Sequence, residues 1–310
     1  MPDTSRSSDP MAPPRPADAP LGAVVRKPGW LKVKAPGGAA YAEVRRLVRD
    51  LKLHTVCEEA HCPNVGECWG HRTATFLILG EVCTRSCAYC AVAHGRPEPP
   101  DAGEPRRLAE AARAMRLRHA VVTSVDRDDL PDGGAGQFAA VVREIRGLQA
   151  GTTVEVLIPD FQGSEAALRV VVAAGPDILN HNVETVRRLY GMARPEGDYD
   201  RALGLLERAK ALAPHLVTKS GLMVGLGETW QEAVDTLRDL RAVGTDLMTV
   251  GQYLRPSAAH MPVARFYTPE EFAELRRIGE RMGFRHVESA PLVRSSYHAW
   301  EQAERSGALA

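Results

Sequence analysis

Ala74-Thr-Phe-Leu-Ile-Leu-Gly80-Glu-Val-Cys83-Thr-Arg-Ser-Cys87-Ala-Tyr-Cys90 joins a short apolar run to a Cys-x3-Cys-x2-Cys loop. The apolar half, bounded by Gly80, has the length and composition of a buried strand, so the cysteine half must leave from that strand's C-terminal end. Five further runs of the same kind follow at 120–125, 154–158, 178–182, 217–224 and 247–252, with amphipathic stretches between them. That spacing, near the roughly 30 residues of a βαβ unit, predicts six βα repeats. Trp230, Val234, Leu237 and Leu240 make one helical stripe, and Phe272, Leu275, Ile278 and Met282 another. Thr268, Pro269 and Glu271 open the second helix as N-cap, first-turn proline and capping-box acid. The expected fold is α/β, an open (βα)6 partial TIM barrel over residues 73–285, with a doubly wound sheet as the alternative from pattern alone. Either architecture puts chemistry at the C-terminal ends of the strands, where the cysteine loop falls.

Residues 1–25, rich in Pro, Asp, Ser and Ala, carry too little apolar surface to offset ordering entropy and are expected to be a disordered tail. Residues 26–72 read as an N-terminal extension packed on the barrel, with a helix over 41–51 whose Val44, Leu47, Val48 and Leu51 share a face. Residues 286–310 read as a C-terminal tail. Thirty-nine basic side chains balance thirty-nine acidic ones, so no net field draws nucleic acid or anionic lipid. No apolar run reaches the roughly 20 residues of a membrane span, and the first twenty residues lack the apolar core of a secretory signal. A cytoplasmic protein with neither a membrane nor a nucleic acid partner is expected.

The six cysteines fall in two groups, Cys57, Cys62 and Cys68, then Cys83, Cys87 and Cys90. In a reducing compartment, grouped thiols bind metal or do redox chemistry rather than pair as disulfides. Three thiolates from one loop satisfy three irons of a [4Fe–4S] cube and leave the fourth open, whereas structural zinc takes a closed set of four ligands. The second group is therefore read as a cluster site, with zinc as the alternative. Tyr89, inside that loop, is either packing or a contact for bound adenine. Asp126, Asp128, Asp129 and Asp132 imitate a calcium loop, but Pro131 stands where an EF-hand requires Gly.

A Cys83/Cys87/Cys90 triplet after the first strand of a (βα)6 pattern resembles the radical S-adenosylmethionine (SAM) superfamily. Four stretches narrow the likeness: Val56-Cys-Glu-Glu-Ala-His-Cys-Pro-Asn-Val-Gly-Glu-Cys-Trp69, Thr123-Ser-Val-Asp-Arg-Asp-Asp-Leu-Pro-Asp-Gly-Gly134, Asn180-His-Asn-Val-Glu-Thr185 and Arg294-Ser-Ser-Tyr-His-Ala299. Together they resemble the lipoyl synthases from about Lys27 to Ala299. The resemblance implies that Cys83, Cys87 and Cys90 hold a [4Fe–4S] cluster whose open iron SAM chelates. It implies that Cys57, Cys62 and Cys68 hold an auxiliary [4Fe–4S] cluster with a serine of the Arg-Ser-Ser-Tyr motif as fourth ligand. Ser296 is the matching position and Ser295 the fallback. A hard serine oxygen is a weak partner for so soft a site, which suits a ligand that must leave.

The resemblance further implies ribose contacts from Asn182 and Glu184, and an adenine-backing strand over 221–228. Arg194 is either the partner of the methionyl carboxylate or a solvated surface arginine. The implied activity is that of a sulfurtransferase: two sulfur atoms enter C6 and C8 of an octanoyl chain on a carrier-protein lysine. Two SAM-derived 5′-deoxyadenosyl radicals each remove one hydrogen, and the auxiliary cluster gives up sulfur. Implied partners are octanoylated lipoyl-carrier domains of 2-oxoacid dehydrogenases, the glycine-cleavage H protein, a flavodoxin or ferredoxin reductant and an Fe–S cluster carrier. A biotin-synthase-like insertase acting on a small molecule shares the radical triplet and the Asn-x-Asn signature. A non-catalytic Fe–S carrier is the alternative from another class.

Overall fold

Each apolar run is followed by enough chain for a helix to return along the sheet, so successive strands can lie parallel. The computed structural model describes residues 27–33, 35–71, 73–305 and 307, and the tail expected over 1–25 lies outside the described residues. The strands are β1 (His54–Thr55), β2 (Thr75–Ile78), β3 (Val82–Cys83), β4 (Ala93–His94), β5 (His119–Ser124), β6 (Thr153–Leu157), β7 (Ile178–Asn180), β8 (Val217–Val224), β9 (Leu247–Gln252) and β10 (His286–Ser289). The α-helices are α1 (Ala39–Asp50), α2 (Val56–Glu59), α3 (Val65–Gly70), α4 (Glu104–Ala114), α5 (Ala135–Leu148), α6 (Glu165–Ala173), α7 (Tyr190–Ala193), α8 (Tyr199–Leu212), α9 (Trp230–Ala242), α10 (Pro269–Met282) and α11 (Ala299–Arg305).

The main sheet runs β1-β2-β5-β6-β7-β8-β9-β10, every step from β2 to β10 being parallel. The order never turns back, which excludes the doubly wound alternative, whose strands reverse at a switch point. Among the described residues the two edges, β1 and β10, do not pair, so the barrel stays open. The expected capping box on α10 forms between Thr268 and Glu271, and a second one forms on α9 between Thr229 and Glu232. Phe272, Leu275 and Ile278 bury the α10 stripe against the sheet.

Two edge strands extend the sheet beyond the six expected. β10 is a seventh parallel strand, inside the stretch read as a C-terminal tail. Its sequence, His-Val-Glu-Ser, has one aliphatic residue in four, and pairing with β9 rather than apolar content makes it a strand. β1 is two residues long and joins β2 antiparallel, so the N-terminal extension enters the sheet through it. The extension also packs through α1 and α3, where Val44, Val48 and Trp69 are buried and the Tyr41 and Trp69 rings lie 5.2 Å apart.

The N-terminal end of the barrel is closed by chain from the other terminus. Ile178, Val217 and Leu247, each the first residue of its strand, form a separate apolar cluster with Ala303 of α11. Residues two apart on a strand share a face, and the next positions inward are polar. Lys219 Nζ lies 2.9 Å from Glu155 Oε1, Asn180 Nδ2 donates to the same oxygen at 3.0 Å, and His119 Nε2 is 3.4 Å from Glu155 Oε2. Burial alone pushes the Glu155 carboxyl up, but Lys219 and His119 outweigh it and hold it at about 2. Lys219→Met should leave that carboxylate buried without its main partner and destabilise the chain by about 3–5 kcal/mol. Glu155→Gln combined with Lys219→Met should cost less than Lys219→Met alone. Urea unfolding of the apo chains checks this, and strictly additive losses would contradict it.

Candidate functional site

A cavity of 250 Å³ opens at the C-terminal ends of the strands, with Cys83, Cys87, Cys90, Asn182, Glu184 and Arg194 all on its wall. Backbone hydrogen bonds hold the cysteine loop there. Thr84 N–H donates to Asp126 O (3.0 Å), Ala88 N–H to Ala193 O (2.9 Å) and Met261 N–H to Ala88 O (3.0 Å). Arg85, buried between the first two cysteines, grips Asp128 with two nitrogens (2.6 and 2.8 Å) and Asp160 with one (2.7 Å). The acidic run is thereby accounted for. Asp128 pins Arg85, Asp129 pairs with Arg127 (2.8 Å), Asp132 accepts from the Gly134 and Gly136 amides, and Asp126 stands 3.6 Å from Cys83 Sγ.

Burial pushes the three thiols up, Cys83 and Cys90 to about 11 and Cys87 to about 12. Three soft donors that resist ionisation on their own, gathered in one cavity with Asp126 beside them, suit a multivalent iron cluster that supplies the compensating positive charge. Sequence and geometry therefore fit a [4Fe–4S] group at this loop.

Asn182 and Glu184 lie just beyond β7. Asn182 Nδ2 donates to Glu184 Oε1 (3.0 Å) and to Ser295 Oγ (2.8 Å), while Asn182 Oδ1 is buried with no hydrogen-bond partner among the described residues. Glu184 takes a left-handed φ of 67° and bridges to β8 through Gly221 O and Met223 N. Burial pushes its carboxyl up, against the opposing pull of Arg194. Gly221 is needed for this approach, since a Cβ there would stand 2.7 Å from Asn182 Oδ1. Arg194 is buried rather than solvated: Nη1 donates to Asn182 O (3.2 Å), and Nε has no partner among the described residues. Tyr89 lines the same cavity.

His181, between the two asparagines, lines the same cavity. Its Nδ1 lies 2.8 Å from Ile158 O and must carry the proton there, which leaves Nε2 a buried acceptor without a partner among the described residues. Burial, helped by the Arg194 charge, lowers its pKa to about 4. Between about pH 6.5 and 4 the unfolded chain takes up a proton that the folded ring refuses, so this residue's contribution to stability falls as the pH falls. His181→Gln should flatten that part of the profile. Apo unfolding free energies at pH 7 and pH 5 check it, with a larger loss expected in the wild type and an equal loss contradicting the account.

A second cavity, of 550 Å³, lies beside the N-terminal ends of β2 and β5, and Cys57, Cys62, Cys68, Thr75 and Ser296 line it. Thr55 caps α2, which carries Cys57, by accepting from the Glu58 amide (3.3 Å), and Cys62 N–H donates to Cys57 O (3.1 Å). Burial pushes Cys57 to about 11, Cys68 to about 12 and Cys62 upward, so this triplet fits a cluster by the same reasoning. The C-terminal segment is fastened to it: Asn64 Nδ2 donates to Leu292 O (2.7 Å), and Glu67 Oε1 accepts from Tyr297 OH (3.0 Å). Tyr297 N–H donates to Arg294 O (2.9 Å), which makes Ser295 and Ser296 the central residues of a turn. Ser296 Oγ accepts from Thr75 Oγ1 (2.6 Å), whereas Ser295 faces the other cavity.

Thr75, Arg85, His119, Glu155 and Lys219 were not singled out from the sequence. A lone Lys in the apolar run 217–224 and a lone Glu in 154–158 were available signals, because a charge in a buried strand needs a partner. Thr75 and Arg85 gave none.

The sequence profile of the Radical SAM superfamily matches residues 77–240, and that of the N-terminal domain of lipoyl synthase matches residues 18–62. A lipoyl synthase of Rubrobacter xylanophilus is 59% identical over 285 residues, covering 91% of this chain and 89% of the relative. Another, of Roseiflexus sp., is 58% identical over 274 residues, covering 88% of this chain and 91% of the relative. The crystal structure of methylornithine synthase matches with a TM-score of 0.52 at 15% identity, over 78% of this chain and 73% of that one, a likeness of fold. With two thiol triplets each gathered in its own cavity and relatives this similar over nearly the whole chain, the protein belongs to the lipoyl synthase family of the radical SAM superfamily.

Proposed function

We propose that Cys83, Cys87 and Cys90 hold the SAM-binding [4Fe–4S] cluster, that Cys57, Cys62, Cys68 and Ser296 hold an auxiliary one, and that sulfur enters C6 and C8 of the octanoyl chain between them. The chain is a radical SAM sulfur-inserting enzyme that uses SAM and a [4Fe–4S] cluster and acts on an octanoylated protein. The biotin-synthase-like and non-catalytic carrier alternatives fall with that assignment. One observation carries the proposal: the two triplets line two cavities that share a single turn, with Ser295 in one and Ser296 in the other.

When bound, the clusters supply the electron that cleaves SAM and the sulfur that is inserted. The chain's own residues do the rest. Asn182 Oδ1 offers an acceptor and Glu184 a carboxyl to ribose hydroxyls, and the buried Arg194 has Nε free to meet the methionyl carboxylate. Leu77, Val125, Leu157 and Ile158 line the first cavity and keep water from a carbon radical. Met115, Leu117 and Val121 give the second an apolar wall suited to an acyl chain. Ser296 supplies one hard oxygen beside three thiols, a ligand that can be released.

Carrier domains of 2-oxoacid dehydrogenases, the H protein, a flavodoxin or ferredoxin and an Fe–S carrier are the proposed partners, and the cytoplasm the proposed setting. No described helix is long and apolar enough to cross a membrane. The test of the function is single-turnover reaction with an octanoyl-lysine peptide, SAM and reductant under anaerobic conditions, followed by mass spectrometry. Mono-thiolated and then lipoylated peptide is expected, and 5′-deoxyadenosine without thiolated peptide would contradict the proposal. Ser296→Cys should keep its cluster content and slow product formation by about tenfold or more, because the added thiolate binds iron more firmly. Ser295→Cys at saturating SAM should slow it less. Undiminished product from fully loaded Ser296→Cys would move the ligand assignment elsewhere.

A further inference from the structure

Ser295 and Ser296 stand side by side at the tip of one turn, and their hydroxyls serve different cavities. Ser295 Oγ accepts from Asn182 Nδ2 at 2.8 Å, beside Cys83, Cys87 and Cys90. Ser296 Oγ accepts from Thr75 Oγ1 at 2.6 Å, beside Cys57, Cys62 and Cys68. The chain leading into the turn passes hard against β9, where a Cβ on Gly251 would collide with the carbonyl oxygen of Val293. The turn is therefore a wall common to the two cavities, and a shift on one side is a shift on the other.

Asn182 shows what that wall does for the first cavity. Its carboxamide donates to Glu184 Oε1 and to Ser295 Oγ, and Oδ1 is left as a buried acceptor without a partner among the described residues. An amide engaged on its donor side cannot flip without stranding buried N–H groups. Oδ1 is thus held in one orientation, ready for a ligand hydroxyl. Without Ser295 Oγ, one N–H loses its partner, and the Glu184 bond alone then holds the amide's orientation.

We propose that Ser295 is a positioning residue linking the SAM site to the auxiliary-cluster ligand: through Asn182 it orients the acceptor that a ribose hydroxyl meets, and through its chain neighbour it sets Ser296. The proposal rests on the assignment of Asn182 to SAM and of Ser296 to the auxiliary cluster. Its consequence is reciprocal coupling. Whatever fixes Ser296 favours SAM binding, and SAM favours ligation by Ser296 by the same factor. Withdrawal of Ser296 as sulfur leaves would loosen the turn, release Asn182 and ease departure of the cleaved SAM fragments before the second SAM binds.

The test is equilibrium binding of radiolabelled SAM, without reductant so that no cleavage occurs, to reconstituted wild type, Cys62→Ala, Ser295→Ala and the double variant. Cys62→Ala, which removes the auxiliary site, should weaken SAM binding roughly 5- to 10-fold, the worth of one hydrogen bond. Ser295→Ala should weaken it similarly, the double variant no further, and Ser295→Thr should restore it. Wild-type affinity in Ser295→Ala, or an effect of Cys62→Ala that survives without the Ser295 hydroxyl, would overturn the link. The underlying assignments are read separately. An unchanged auxiliary-cluster Mössbauer spectrum in Ser296→Ala would remove the ligand assignment and the link with it, as would wild-type SAM affinity in Asn182→Ala. An altered spectrum with no effect of Ser295 on SAM would remove the link alone.

Discussion

Cys87→Ala should form no 5′-deoxyadenosine and hold about four irons per chain where the wild type holds about eight. The effect is near total because the loop has no spare thiol. Cys83 and Cys90 are the other thiols of that cavity, and Asp128 and Asp160 are committed to Arg85. Loss of one thiolate from three leaves a second iron without a protein ligand, and the chelate that should receive SAM is gone. The fold should survive, since Arg85 and the backbone bonds to Asp126 and Ala193 hold the loop without the sulfur. Anaerobic reconstitution, iron and sulfide analysis and chromatography of the nucleoside product check this. Stoichiometric zinc without sulfide in the wild type would refute the cluster reading.

Cys62→Ala separates the two tasks. At saturating SAM and under strong reductant it should still release 5′-deoxyadenosine, because the Cys83/Cys87/Cys90 loop lies on the other side of the Ser295–Ser296 turn and keeps its ligands. It should give no thiolated peptide, a loss of at least about a thousandfold, since the cavity holding Cys57 and Cys68 can no longer retain the proposed sulfur source. Lipoylated product from this variant would mean that sulfur reaches the acyl chain by another route.

Local signals carried most of the barrel into view, and non-local ones did not. The Thr268–Glu271 box marks α10 because capping is settled within four residues, and the apolar runs mark β5, β8 and β9 because their side chains are buried on both faces. β10 was missed because half of its short sequence is ionisable and its strand character comes from pairing with β9, thirty-nine residues upstream. At the site, cysteine spacing is itself a local signal, so both triplets could be read directly. Which of two adjacent serines faces which cavity could not be read: a turn's two central side chains diverge, and Thr75 and Asn182, which receive them, lie more than a hundred residues upstream. The Glu155–Lys219 pair escaped for a similar reason, since each looks like a lone charge in an apolar run until the sheet brings the two together.

The cavity of Cys57, Cys62, Cys68 and Ser296 should deliver the inserted sulfur. The direct measurement is to reconstitute the chain with isotopically heavy sulfide, remove unbound sulfide, and run one turnover on octanoyl-lysine peptide with no other sulfide present. Both sulfur atoms of the lipoylated peptide should then be heavy, and no thiolated peptide should form when Cys62→Ala replaces the wild type. Lipoylated peptide carrying only light sulfur would contradict the account.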